Sequence, residues 1–176
     1  MRRALAATTL VALLVAGCGL GSVTDTAPSP PPAAQASLSP TLQAARAEVV
    51  SVLGAAAIIV DDAAVDYRPG ESALVASAPR HVLQAVLPEA PSGGFVVVYE
   101  FVDATAAAAA GREWADYIAS GIGRVQFPTG SVFTIRQDGA ALVFHAWSPD
   151  GAPDPEGEAA IATALGSIGV DWPVSG

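Results

Sequence analysis

The chain has 176 residues, of which 17 are acidic and eight basic, for a formal net charge of −9. Lysine and asparagine are absent, and beyond Arg3 the cations are the singly scattered Arg46, Arg68, Arg80, Arg112, Arg124 and Arg136. Such a chain is not expected to bind nucleic acid, which takes clustered cations to neutralise phosphates, and without asparagine it has no N-glycosylation acceptor.

In chain order, Met1, Arg2 and Arg3 precede an uncharged run from Ala4 to Gly17 in which only Thr8 and Thr9 are polar. This is the charged start and short apolar stretch of a secretory signal. Stretched over small residues to Gly21, the run reaches a length at which a membrane span is considered, but Ala16 and Gly17 are small residues where a signal peptidase would need them. Val15, Ala16, Gly17 and Cys18, the sole cysteine, resemble the lipobox of bacterial lipoproteins. The resemblance covers the first 18 residues. It implies removal of residues 1–17, a diacylglycerol on the Cys18 sulfur, and attachment to the extracytoplasmic side of the cell membrane or outer membrane, with the lipid bilayer as partner. Each buried methylene contributes about 0.8 kcal/mol and two acyl chains suffice for stable anchoring, so no spanning helix is needed. A lipidated Cys18 leaves no thiol for a disulfide or a metal.

Residues 18–38 carry prolines and small residues with no apolar period, which reads as an unfolded linker. Ser39 and Pro40 then supply an N-cap and a preferred first helical residue. Leu42, Ala45, Val49, Val52 and Leu53 recur at helical spacing. After a turn-rich stretch, with a short strand expected near 58–60, residues 81–87 and 95–102 read as a hairpin of strands, the second β-branched and aromatic throughout. Asp103 caps a helix over 104–120 that stops at Gly121. Asp138 and Gly139 join two alternating runs, 131–137 and 140–147, a strong hairpin signal. Asp154 and Pro155 open a last helix bearing Ile161, Leu165 and Ile168.

The expected fold is therefore a single α+β domain over 39–176. Its antiparallel sheet has about four strands from two hairpins, the two later helices lie on one face, and the Ser39 helix is available to cover the other. Strand, strand, helix occurs twice, which hints at an internal duplication of element order.

Alternation assigns Val82, Val86, Val96, Val98, Val132 and Val143 to one face, far more apolar than a solvated face requires. One polar residue per strand stands among these valines: Gln84, Glu100, Arg136 and His145. If they meet, Glu100 and Arg136 can pair and His145 can hydrogen-bond to either. No G-x-S-x-G elbow is present, and two histidines without a free cysteine make no zinc motif. Gly121 and Gly123 follow a helix where a phosphate loop must precede one. The carboxylates of 150–158 lack EF-hand spacing, and the position of Asp154, Glu156 and Glu158 at a helix start is accounted for by the macrodipole. No cofactor or metal is expected.

The leading functional reading is a lipid-anchored module, more binding than catalytic, whose valine-rich face takes an envelope protein or a small ligand. The alternatives are a small hydrolase or isomerase using Glu100, Arg136 and His145 in an open pocket, or a structural envelope protein that buries the face in a homodimer.

Overall fold

The structure is a computed structural model and describes residues 37–175. The lipobox, Cys18 and the linker up to residue 36 lie outside the described residues. In chain order the elements are α1 (Pro40–Ala55), β1 (Val60–Asp62), α2 (Ala73–Ala76), β2 (Arg80–Ala85), β3 (Phe95–Glu100), α3 (Ala104–Ala119), α4 (Gly121–Arg124), β4 (Val132–Asp138), β5 (Ala141–Trp147), α5 (Pro155–Leu165) and β6 (Val170–Asp171).

The three long helices begin where their caps predict. Ser39 Oγ accepts from Leu42 N at 3.1 Å, Asp103 Oδ1 from Ala106 N at 2.8 Å, and Asp154 Oδ1 from Gly157 N at 2.8 Å. Each bond satisfies one N–H that the first helical turn leaves without a partner. Gly139 takes the left-handed conformation, φ 53°, that the tight β4–β5 turn requires.

All strands are antiparallel, in the order β1-β2-β3-β5-β4-β6. The α+β class is as expected, but the sheet has six strands and not about four. β6 spans only two residues and β1 three, too short for alternation to register; β1 begins where the expected strand at 58–60 ends. The later helices also part company. α5 packs Ile161 and Leu165, with Ile168 just beyond its end, together with α1 over Leu83, Val96, Val98 and Val143, whereas α3 packs Ala110, Trp114 and Ile118 over Val97, Tyr99, Leu142 and Phe144. This arrangement rules out a symmetric duplication. A two-fold exchanging antiparallel β3 and β5 must stand perpendicular to the sheet, and it would leave α3 and α5 on the same face.

The valine-rich face is thus core. Val96 and Val98 are fully buried beneath α1 and α5, as are Val49 and Leu53 of α1. The face expected to bind a partner or a second copy is covered by the chain itself. On the other face the Trp114 ring stacks on Phe144 at 4.2 Å, meets Tyr99 edge-on at 5.3 Å, and donates its indole N–H to Gly70 O at 2.8 Å. Burial of a whole aromatic side chain is a large term in such a core.

β2 presents the opposite faces from those that alternation suggested. Leu83 lies opposite Val96 and Gln84 opposite Phe95, and directly opposed residues share a face. The connection 86–94 sets this register, with Gly94 at φ 70° and its carbonyl accepting from Ala85 N, and a one-residue slip moves every side chain across the sheet.

Candidate functional site

The four polar residues expected to cluster do not. Gln84 lies on the α3 face and its amide donates to Pro91 O and Gly93 O, at 2.9 and 3.2 Å, tying down the β2–β3 connection. Glu100, Arg136 and His145 do share a face, but opposite Ala141, Val143 and Val96 respectively. At about 3.4 Å per strand residue, Glu100 and His145 are about 14 Å apart along the sheet. Each is committed elsewhere.

Glu100 accepts from Ser39 Oγ at 2.7 Å beside an apolar groove of about 410 Å³ between α2 and α3. Arg136 donates to Ile168 O and Gly169 O at 2.6 and 3.0 Å and pairs with Asp171 at 3.1 Å. It thereby holds the connection between α5 and β6. The Glu100–Arg136–His145 pocket required for the hydrolase or isomerase reading is not formed.

His145 has a different partner, one the sequence reading set aside. Glu158 is the fourth residue of α5, and instead of facing solvent near the helix start it points inward, only 5% exposed. The stripe of Ile161, Leu165 and Ile168, continued back three residues, lands on it. That continuation is the signal that could have found it.

Glu158 Oε1 accepts from Gly94 N at 3.0 Å, and Oε2 stands 3.3 Å from Nε2 of the fully buried His145. Neither Oε2 nor Nε2 has a formed hydrogen bond to any group. Gly93 makes room for the carboxyl, since a Cβ there would come within 2.7 Å of Oε1.

The other ring nitrogen sets the protonation of the pair. His145 Nδ1 lies 3.0 Å from Phe95 O, so Nδ1 must carry a hydrogen and donate it. With Nδ1 protonated, Nε2 of a neutral ring has only a lone pair to offer, and a charged carboxylate opposite it would repel. The pair is therefore satisfied when it holds one further proton between Nε2 and Oε2. Burial holds the His145 imidazolium below its ordinary range, against the pull of its contacts with Phe95 and Glu158. Burial also pushes the Glu158 carboxyl up, opposed by the Gly94 N–H and assisted by the charge on Asp154. Both effects favour the neutral pair, with the proton on Glu158.

Above this pair a cleft of about 370 Å³ opens, lined by Tyr67, Gly93, Phe95, Phe127, Trp147 and Glu158. Tyr67 stacks on Phe95 with ring centroids 4.5 Å apart, and burial followed by the nearby Glu158 raises the Tyr67 phenol above its ordinary value. The Trp147 indole nitrogen is buried without a partner. Aromatic walls with a few inward polar groups are the usual make-up of a small-molecule site.

Among the described residues no group of three or more His, Cys, Asp or Glu side chains could hold a metal ion, and no helix is long and apolar enough to cross a membrane. In comparisons with known proteins, no family model matches the chain, and no curated protein or solved structure matches it either.

Proposed function

We propose that this chain is an extracytoplasmic lipoprotein, anchored through acylated Cys18, whose folded part binds a small ligand in the cleft between the β2–β3 connection and the start of α5. The anchor rests on the signal-like start and on Val15–Cys18. The binding reading rests on one observation: the aromatic-walled cleft holds a buried indole N–H, that of Trp147, which has no hydrogen-bond partner among the described residues. Leaving a buried polar group unmade costs about 1–3 kcal/mol, and a ligand that satisfies it recovers that cost. The valine-rich face has no part in this reading, because α1 and α5 cover it.

The anchor is tested by fractionating cells that express the chain or Cys18→Ser, with intact-mass measurement of the product. The expected result is a diacylglycerol-bearing species beginning at Cys18 in the membrane fraction, and soluble Cys18→Ser. An unmodified thiol would refute it. The cleft is tested by a fragment screen on the mature chain carrying Cys18→Ser, read from the amide resonances of Gly93, Gly94 and Phe95 and the Trp147 indole N–H. Binders should converge on these signals, and a screen in which every hit maps elsewhere would overturn the assignment.

A further inference from the structure

We infer that the apolar groove between α2 and α3 is an interaction surface for a partner protein, and that it takes a segment of apolar side chains flanked by basic ones. This surface is separate from the aromatic cleft and does not depend on it. The groove's lining, its rim and its length each bear on the occupant.

The groove, of about 410 Å³, is lined by Ala106, Ala109 and Ala110 of α3 together with Leu74, Phe101 and Val102. The alanines recur at i, i+3 and i+4 and so share one helix face, where small side chains let another chain approach α3 closely. Val102 is 89% exposed and Leu74 half-exposed. Apolar side chains that stand in water beside one groove are stabilised by any apolar group that removes them from it.

The rim is acidic at three points. Glu100 lines the groove itself. Asp103 Oδ1 accepts from Ala106 N at 2.8 Å and Glu113 Oε1 from Leu74 N at 3.4 Å, so each of these carboxylates is held beside a residue of the lining. Among the described residues none that lines the groove is basic; Arg112 lies over the Trp172 ring at 5.5 Å, and Arg80 is paired with Asp66 at 2.6 Å. Apolar surface ringed by carboxylates is complementary to apolar groups with cations on their flanks, and it repels anionic headgroups, which favours a peptide over a bilayer as the occupant. Length then separates a peptide from a small cation. Asp103, the N-cap of α3, and Glu113 within it are about 15 Å apart along the helix at its usual rise. A single ammonium group meets one carboxylate at a time, whereas an extended chain of about five residues reaches from one to the other.

The test titrates the mature Cys18→Ser chain with a twelve-residue peptide of alternating leucine and lysine pairs, and with its counterpart carrying glutamate in place of lysine. Binding is read by NMR from the amides of Leu74, Val102, Ala106 and Ala109, while the Trp114 indole N–H, bonded to Gly70 O, reports that each variant keeps its core. The lysine peptide should move the groove signals and the glutamate peptide should not. Joint replacement by Glu100→Gln, Asp103→Asn and Glu113→Gln keeps every acceptor, removes the three charges, and should weaken the lysine peptide about tenfold. Glu89→Gln, Asp150→Asn and Glu156→Gln remove the same charge at exposed positions elsewhere and should weaken it by less than about twofold. Ala109→Phe, at an exposed position of α3, places a ring in the groove and should weaken it about tenfold by obstruction.

Equal weakening by the two triple replacements would mean that the peptide reads only the net charge of the molecule, and overturns the proposal. Absence of binding, or shifts that map away from the groove, overturns it as well. Groove signals that move with phosphatidylcholine vesicles and not with the lysine peptide would assign the groove to a lipid surface instead.

Discussion

Replacing Glu158 with glutamine should flatten the alkaline limb of the stability curve, with a size that follows from proton counting. In the folded chain the His145–Glu158 pair holds one proton. In the unfolded chain the two groups titrate at their ordinary values, 4.5 for the carboxyl and 6.5 for the imidazole. The raised Glu158 contributes less stability as pH rises above 4.5, and the lowered His145 less as pH falls below 6.5. Between these values both states hold one proton and the two slopes cancel.

Above 6.5 the unfolded chain has lost both protons while the folded one retains its single proton. Stability then falls by about 1.4 kcal/mol per pH unit, until the folded pair itself deprotonates. Glu158→Gln carries no titrating proton on the carboxyl side, so its stability should be level from 6.5 upward. The assay is urea unfolding of both chains at half-unit steps from pH 5.5 to 8.5. Tyr67 and Tyr99, both raised by burial, titrate above this interval. Parallel curves for the two chains across 6.5–8.5 would refute the shared proton.

Other substitutions probe the surroundings of the pair and the cover over the sheet. Gly93→Ala places a Cβ 2.7 Å from Glu158 Oε1, so it should cost about 1–3 kcal/mol by crowding; combining it with Glu158→Ala should recover part of that loss, as a double-mutant cycle of unfolding free energies would register. Leu53→Ala removes a fully buried side chain between α1 and the sheet and should cost about 2–5 kcal/mol in denaturant unfolding; a loss below 1 kcal/mol would mean that α1 does not cover this face. On the acid side, hydrogen bonds from Arg46 and then His81 hold the Asp62 carboxyl below its ordinary range. The stability it contributes is present above pH 3.8 and lost as pH falls through its lower folded value. Because Asp62 is more than half exposed, Asp62→Asn should cost less than about 1 kcal/mol at pH 7, with the difference vanishing near pH 2.

Much of the architecture was legible because local chemistry dictated it. Ser39, Asp103 and Asp154 each sit where a helix needs a cap, and Gly139 opens the tight turn between β4 and β5, which falls on Gly139–Ala140, one residue later than the Asp138–Gly139 pair suggests, so the starts of three helices and one hairpin follow from a few residues. The other hairpin was recognised but its faces were inverted, since the nine residues from Val86 to Gly94 leave the register to Gly94 and to the bonds Gln84 makes with Pro91 and Gly93. Which face α5 takes depends on the path of 148–154 and on the competition between α1 and α3 for the sheet, which no local period encodes. β6 exists because Arg136 and Gln137 pair with Asp171 and Val170, a long-range event of two residues.

The candidate site was half legible. His145 was picked out as a polar residue among valines, but its partner was sought on the neighbouring strands, whereas it came from a helix. Glu158 had a sufficient reason to sit near a helix start, and that reason masked its place on the apolar stripe leading to Ile161. Glu100 and Arg136 stand out by the same logic as His145, yet a serine at a helix cap and the carbonyls of the α5–β6 connection satisfy them.

The buried Glu158 carboxyl keeps its proton because it shares it with His145 Nε2, and the carboxyl carbon of Glu158 reports on this directly. In a ¹³C-labelled chain, its resonance should stay at the protonated position as pH rises past 4.5, the ordinary value for a glutamate carboxyl. A Glu158 signal that moves to the carboxylate position as pH passes 4.5 would contradict the shared proton.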